Sequence, residues 1–105
     1  MSEMSVRDLA ERRARGETIV VLDVREHDEL ATASLSEVIH IPMDEMPQRF
    51  RELPEDCDIA VLCHSGRRSD MVARFLRANG YGRAINVAGG IDAWSREVDA
   101  SVPRY

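Results

Sequence analysis

Two kinds of apolar pattern alternate along the 105 residues of this chain. Short apolar runs that are rich in β-branched residues are typical of buried strands. Longer segments, in which apolar residues recur every three or four positions, are typical of amphipathic helices. The runs predict strands at residues 18–24, 38–41, 59–63 and 83–88. The longer segments predict helices at residues 5–14, 26–33, 44–53 and 91–98, and one that begins at Ser69 or Asp70 and ends at residue 78.

Strands that alternate with helices predict an α/β fold, with a central parallel sheet and helices on both of its faces. The length of the chain allows a single domain, residues 1–105. In open parallel sheets, ligands bind beyond the carboxyl ends of the strands. Asp23, Arg25, Cys63 and the pair Gly89–Gly90 all lie at the carboxyl ends of predicted strands. We therefore expect these residues to meet along one edge of the sheet.

The strongest candidate for chemistry is the loop that begins at Cys63. This cysteine ends a buried strand, and the residues after it lead directly into a helix. Such a loop directs backbone N–H groups and the positive end of a helix dipole at the sulfur, which is a favourable setting for an anion. The candidate loop residues are His64, Ser65, Gly66, Arg67, Arg68 and Ser69.

Energies indicate which parts of this loop are needed to activate a thiol. A free cysteine has a pKa of about 8.5, and sites of this kind lower it to about 3.5–7.5. A decrease of about two units requires about 2.7 kcal/mol of preference for the thiolate. A helix dipole alone contributes about 0.3–1 kcal/mol in most cases. Several N–H donors, or one or both of Arg67 and Arg68, must therefore contribute.

Residues 63–69 resemble the active-site loop of the rhodanese family, Cys-x-x-Gly-x-Arg-Ser. Three further segments resemble that family in the same order along the chain. They are residues 21–26 with an Asp-x-Arg ending, residues 39–42 with the sequence Ile-His-Ile-Pro, and residues 86–94 with a Gly-Gly-x-x-x-Trp ending. The resemblance covers nearly the whole chain and implies a single rhodanese-like domain.

The resemblance implies a sulfurtransferase that works through a persulfide. Cys63 would attack the outer sulfur of a small anionic donor such as thiosulfate, and the loop N–H groups would stabilise the persulfide. Arg67 and Arg68 would bind the oxygens of the donor. A protein persulfide is the alternative donor, and the acceptor would be cyanide, a thiol or a sulfur-carrier protein. Residues 97–105 also resemble the ending of rhodanese domains fused to adenylylating enzymes for ubiquitin-like sulfur carriers.

One segment departs from the family. Relatives usually carry a Gly-His-Ile-Pro-Gly-Ala-like stretch before the Ile-His-Ile-Pro strand. Residues 33–38 read Ala-Ser-Leu-Ser-Glu-Val instead and lack the glycines, the histidine and the proline. Because of this departure, the family pattern does not predict the conformation of the local turn. The cysteine loop is not affected.

Two other functional classes stay open from the sequence. Cysteine-dependent phosphatases and arsenate reductases also place a cysteine loop before a helix, although rhodanese-fold phosphatases have a loop one residue longer. A non-catalytic binding module with the same fold is the other alternative. Inactive relatives typically replace the cysteine, which this chain keeps at Cys63.

The roles of the supporting residues are less constrained. Asp23 either pairs with Arg68 or caps the turn that follows it. Arg25 either faces the anionic substrate or pairs with Glu26 or Glu29 on the surface, and the surface pairing is favoured. His64 is expected to line the loop rather than act as a base, because dyad partners are normally distant in sequence. The remaining expectations are close packing at Gly89–Gly90 and a core position for Trp94.

Composition excludes several other classes. A formal net charge of -5 argues against general nucleic-acid binding. The sequence has no apolar run long enough for a membrane span and no signal peptide, so a cytoplasmic location is expected. It shows no heptad pattern or exposed apolar stripe, so a monomer is expected. Scattered histidines and two cysteines that lie six residues apart predict no metal site, and we expect no cofactor. Cys57 lies among acidic residues, which disfavour its thiolate, although a resolving-thiol role stays open.

Overall fold

The computed structural model describes residues 2–105 and contains one parallel sheet of five strands. The strands are β1 (Glu3–Met4), β2 (Ile19–Asp23), β3 (Val38–His40), β4 (Asp58–Leu62) and β5 (Ala84–Val87), in the spatial order β1-β5-β4-β2-β3. The helices are α1 (Val6–Ala14), α2 (His27–Thr32), α3 (Met46–Arg49), α4 (Arg67–Ala78) and α5 (Gly90–Glu97). Two 3₁₀ turns, Met43–Glu45 and Phe50–Glu52, flank α3.

The core consists of two apolar clusters, one on each face of the sheet. The central strand β4 contributes to both, because Ile59 and Val61 face one cluster and Ala60 and Leu62 face the other. Buried residues of α3 and α4 pack with the first cluster, and those of α1 and α5 with the second, where Trp94 lies. The predicted α/β architecture with helices on both faces is therefore confirmed.

Two helix ends show the capping that favours a helix boundary. The Ser5 hydroxyl accepts a hydrogen bond from the Asp8 N–H at 3.0 Å, as an N-cap should. Gly80 follows the C-cap residue Asn79 with a left-handed φ of 94°. The helix predicted at residues 44–53 is wrong as a continuous element. Pro47 has no N–H to donate along the helix, and the chain there divides into α3 and its two 3₁₀ turns.

Two boundaries bear on the site. Helix α4 begins at Arg67 rather than at Ser69 or Asp70, so both loop arginines belong to its first turn. Strand β1 was not predicted, because two residues carry no periodic signal. It pairs with β5 at the edge of the sheet and places Glu3 level with Asn86.

The segment that departs from the rhodanese pattern still makes a tight turn. Glu37 has a φ of 56°, a left-handed conformation that favours glycine. It stands where the family segment carries its second glycine. The Arg13 guanidinium donates to the Ser36 carbonyl at 2.6 Å and holds the turn from α1. The turn therefore persists without the glycine. Among residues 2–105, no helix is both long enough and apolar enough to cross a membrane.

Candidate active site

Cys63 lies directly after β4, at the carboxyl edge of the sheet, and is only 1% exposed. The next three residues form the loop, and α4 follows at once. Gly66 has a left-handed φ of 102°, and its N–H donates to Cys63 Sγ at 3.1 Å. The Oγ of Ser69, in the first turn of α4, lies 3.2 Å from the same sulfur. The sequence prediction of a donor directed at this sulfur is therefore correct for Gly66.

The N-terminus of α5 holds the loop from the other side. The Ile91 N–H donates to the Cys63 carbonyl at 2.9 Å, and the Asp92 N–H donates to the His64 carbonyl at 3.0 Å. A Cβ on Gly90 would collide with both carbonyls, so only glycine allows this approach. The expected close packing at Gly90 is confirmed, and it uses two N–H groups that a helix start leaves free.

A glycine series should separate this collision from backbone strain. We expect Gly90→Ala to lower the free energy of unfolding by about 3 kcal/mol or more, because it adds a collision to a left-handed φ of 58°. Gly80→Ala, which is left-handed but open on all sides, should cost about 1–2 kcal/mol. Gly82→Ala has neither problem and should stay within about 0.5 kcal/mol. Urea unfolding measures all three, and equal losses at Gly90 and Gly80 would contradict the tight contact.

Arg68 is neutralised by a carboxylate from α2. Its two terminal nitrogens donate to the two oxygens of Glu29, at 2.6 and 2.9 Å. The Arg68 hydrogen bonds lower the pKa of Glu29 to about 2, and the same pair raises the pKa of Arg68. Arg68 therefore links the first turn of α4 to α2. The role of Arg68 in binding a sulfur donor stays a prediction. Binding of a donor by Arg68 would compete with its ion pair to Glu29.

The low pKa of Glu29 predicts a dependence of stability on pH. Because the fold stabilises the ionised carboxylate, its contribution is complete above the usual pKa of 4.5 and is lost as the pH falls toward 2. As the pH falls from 4.5 to 2, the free energy of unfolding should therefore decrease less in Glu29→Gln than in the wild type. Urea titrations along that range measure the difference. Glu37→Gln removes an exposed carboxylate and should keep the wild-type profile.

Arg67 differs from Arg68 in its surroundings. It is exposed, and within residues 2–105 no carboxylate lies at ion-pair distance from it. It lines a cleft of about 480 Å³ beside Gly66, together with Glu3, Asp70, Met71, Arg74 and Asn86. Arg74, which lines the same cleft, pairs with Asp70 at 3.0 Å. Arg67 is therefore the loop arginine whose charge is available to an anion.

The favoured prediction for Arg25, a surface ion pair with Glu26 or Glu29, is wrong. Its side chain is 0% exposed, and its Nε and Nη2 donate to the two oxygens of Asp23 at 3.0 and 2.8 Å. Burial opposes its charge, but the hydrogen bonds to Asp23 and Tyr105, together with the charges of these two groups, outweigh burial and raise the pKa of Arg25. The alternative pairing of Asp23 with Arg68 is also wrong, because Asp23 is occupied by Arg25.

Tyr105 is a site neighbour that sequence reasoning missed. Its ring stacks on His64 with 4.2 Å between the ring centroids. Its hydroxyl accepts from Arg25 Nη1 and donates to Glu29 Oε2, both at 2.8 Å. Burial raises the pKa of this hydroxyl, which keeps it protonated as a donor. His64 thus lines the loop against an aromatic ring, as expected. No local pattern could place a residue 41 positions away in sequence against it.

Glu29 and Asn86 were also missed. Glu29 reads as an ordinary charged residue of an amphipathic helix, and Asn86 as a polar residue within a strand. A buried polar residue on a central strand is a usable signal, since such groups require partners. Asn86 is 3% exposed, and its side-chain oxygen accepts from Ser69 Oγ at 2.6 Å.

Cys57 lies at the opposite end of β4 from Cys63. The five residues of β4 lie between them, and six steps of extended chain place their Cα atoms about 20 Å apart. A disulfide requires Cα atoms within about 7 Å of each other. A resolving-thiol role for Cys57 within one molecule is therefore excluded.

Comparison with known proteins places this site in a family. The family model of the Rhodanese-like domain matches residues 5–97. A sulfurtransferase of Allochromatium vinosum is 35% identical, over 91% of this chain and 90% of its own length. The crystal structure of a rhodanese-related protein from Thermoplasma volcanium superposes with a TM-score of 0.85 at 34% identity, over 93% of this chain and 94% of that one.

A longer relative matches over a part of its length. The Adenylyltransferase and sulfurtransferase MOCS3 of Oryza sativa subsp. japonica is 27% identical, over 99% of this chain but 26% of its own length. The fold and the cysteine loop define a rhodanese-like domain. The chain belongs to the rhodanese-like family, and its relatives identify it as a member of the sulfurtransferase group.

Proposed function

We propose that this protein is a sulfurtransferase that carries a sulfane sulfur as a persulfide on Cys63. The observation that carries the proposal is the Gly66 N–H directed at Cys63 Sγ at 3.1 Å, in a loop that leads into a helix N-terminus. Both features favour a negative charge on sulfur. The family relationship supports transfer of sulfur as the reaction.

The reaction takes place in two steps. The Cys63 thiol loses its proton to water, and the thiolate attacks the outer sulfur of thiosulfate. A new S–S bond forms, the S–S bond of thiosulfate breaks, and sulfite leaves with that bonding pair. A nucleophilic acceptor then attacks the outer sulfur of the persulfide, and the Cys63 thiolate leaves. This order predicts ping-pong kinetics.

Intact-mass spectrometry tests the proposal directly. After incubation with thiosulfate, the protein should gain the mass of about one sulfur atom, and cyanide should remove it. Fragmentation should place the added sulfur on Cys63. Failure to gain mass with thiosulfate and with a protein persulfide donor, from a thiol that still reacts with iodoacetamide, would contradict the proposal. Hydrolysis of an aryl phosphate under the same conditions would favour the phosphatase alternative instead.

We assign recognition of the anionic donor to Arg67. Its guanidinium is exposed beside Gly66, and charge-assisted hydrogen bonds to oxyanions are stronger than neutral ones. Arg67→Gln should raise the KM for thiosulfate by about tenfold, with a smaller change in kcat. Steady-state kinetics with cyanide as acceptor measure both constants.

Arg74→Gln is the matched control, because Arg74 lines the same cleft but is paired with Asp70. It should leave the KM for thiosulfate nearly unchanged. Equal effects of the two variants would show that only the general positive charge of the cleft matters. An unchanged KM in Arg67→Gln would overturn the assignment.

We further propose a protein acceptor, a sulfur-carrier protein with an activated C-terminus. Two observations support it: residues 97–105 resemble the ending of rhodanese domains fused to adenylylating enzymes, and one relative is named as both an adenylyltransferase and a sulfurtransferase. The test is transfer of radiolabelled sulfur from the persulfide to an adenylated carrier. An unlabelled carrier, in a reaction where cyanide still removes the label, would exclude this acceptor.

A further inference from the structure

A line of three polar side chains leads away from Cys63 to the edge of the sheet. Ser69 Oγ lies 3.2 Å from Cys63 Sγ and donates to Asn86 Oδ1 at 2.6 Å. Asn86 Nδ2 in turn donates to Glu3 Oε2 at 3.2 Å. Ser69 and Asn86 are buried, whereas Glu3 is exposed on β1. We call this line, from Glu3 to Ser69, the polar line.

The chemistry of its outer end fixes the direction of every bond in the polar line. An ionised carboxylate can only accept hydrogen bonds, so Glu3 requires the NH₂ group of Asn86. The Asn86 oxygen must then face Ser69. A hydroxyl has one proton, and the short bond to Asn86 uses it. Ser69 therefore presents a lone pair, not a proton, to the sulfur of Cys63.

This direction favours the protonated form of Cys63. A thiol can donate to the Ser69 lone pair, whereas a thiolate would face it at 3.2 Å without a proton between them. Two rearrangements could supply that proton. Ser69 could turn its hydroxyl toward the sulfur, which leaves the buried Asn86 oxygen without a donor. Asn86 could instead rotate its amide by 180°, which points its oxygen at the Glu3 carboxylate.

We propose that Asn86, oriented by Glu3, is a positioning residue that fixes the Ser69 hydroxyl and limits how readily Cys63 loses its proton. The proposal rests on the proposed function only in that it concerns the same cysteine. The Gly66 donor and the positive charge of Arg68, which interacts with Cys63, favour the thiolate, and the polar line opposes it. The balance between them sets the fraction of protein that is ready to attack a sulfur donor at a given pH.

The pH profile of alkylation by iodoacetamide tests this proposal without any sulfur transfer. The thiolate displaces iodide, so the midpoint of the profile reports loss of the thiol proton. All variants are made in a Cys57→Ser background, so that only Cys63 reacts. Asn86→Leu removes the acceptor and frees the Ser69 proton for the sulfur. It should lower the midpoint by about one pH unit.

Glu3→Gln is a second variant. Glu3 is exposed, so this substitution should change the stability of the fold little. A glutamine can accept or donate, so Asn86 becomes free to rotate its amide and donate to Ser69. The midpoint should fall by about half to one pH unit. Glu55→Gln makes the same change of charge at the far end of β4 and should shift the midpoint little.

The double variant Glu3→Gln/Asn86→Leu separates the polar line from a simple charge effect. If Glu3 acts through Asn86, the double variant should match Asn86→Leu alone. Additive shifts would mean that Glu3 acts only through its charge, and would overturn the proposal. An unchanged or raised midpoint in Asn86→Leu, with thermal unfolding close to that of the wild type, would also overturn it. Persulfide formation in the same variants is measured in a separate experiment. A failure of the proposed sulfur transfer can therefore be distinguished from a failure of the proposal about Asn86.

Discussion

Replacing Cys63 with serine is expected to lower the rate of sulfur transfer from thiosulfate to cyanide by more than about a thousandfold. A serine hydroxyl keeps the shape of the side chain, but it cannot form the persulfide that links the two half-reactions. The loop and its hydrogen bonds should persist, because the Cys63 and His64 carbonyls are held by backbone N–H groups of α5. Formation of thiocyanate, followed by its coloured iron complex, measures the loss.

Cys57→Ser is the matched control for this experiment. Cys57 is also buried, but β4 lies between the two thiols, so this variant should keep the wild-type rate. The pair therefore compares two buried thiols that differ only in their surroundings. Equal rates in Cys63→Ser and the wild type would mean that sulfur is held elsewhere, and the proposed mechanism would be wrong.

The position of Cys63 could be predicted from the sequence because the evidence for it is local. An apolar run rich in β-branched residues gives the strand, and the loop that follows leads into an amphipathic helix. Parallel strands share one carboxyl edge, so the convergence of Asp23, Cys63 and Gly89 on that edge follows from topology alone. These features do not depend on which side chains meet.

The partners of the arginines could not be predicted in the same way. Both Arg25 and Arg68 have acidic residues nearby in sequence, and nearest-neighbour reasoning favours surface pairs. Arg25 turns inward instead, because the extended backbone after β2 brings its guanidinium back onto Asp23. Arg68 reaches Glu29, 39 positions away in sequence. Such choices depend on which elements become neighbours across the sheet edge.

The three arginines therefore differ in whether their positive charge is available to a ligand. Arg25 forms an ion pair with a buried carboxylate and Arg68 with a half-buried one, whereas Arg67 lines the cleft. Two of these three positive charges therefore hold the scaffold around the loop, and one is available to a ligand. A count of arginines in the motif overestimates the charge that a donor anion meets.

Removing either member of the buried Asp23–Arg25 pair is the second change with a large expected effect. Asp23→Leu leaves a fully buried guanidinium without its carboxylate, and Arg25→Met leaves a buried carboxylate without its cation. Each variant should lose about 3–5 kcal/mol of the free energy of unfolding. Domains of this size have about 5–15 kcal/mol in total, so both variants should unfold at markedly lower urea concentrations.

The double variant Asp23→Leu/Arg25→Met tests whether the loss comes from an unpaired charge. Because neither charge remains, it should recover most of the stability that the single variants lose. Part of the loss should persist, since Arg25 also donates to the Ala33 carbonyl and to Tyr105. Arg74→Met breaks an exposed pair with Asp70 and should cost less than about 1 kcal/mol. If the double variant is as unstable as the sum of the single ones, Asp23 and Arg25 do not stabilise each other as a pair, and packing around each side chain accounts for the loss.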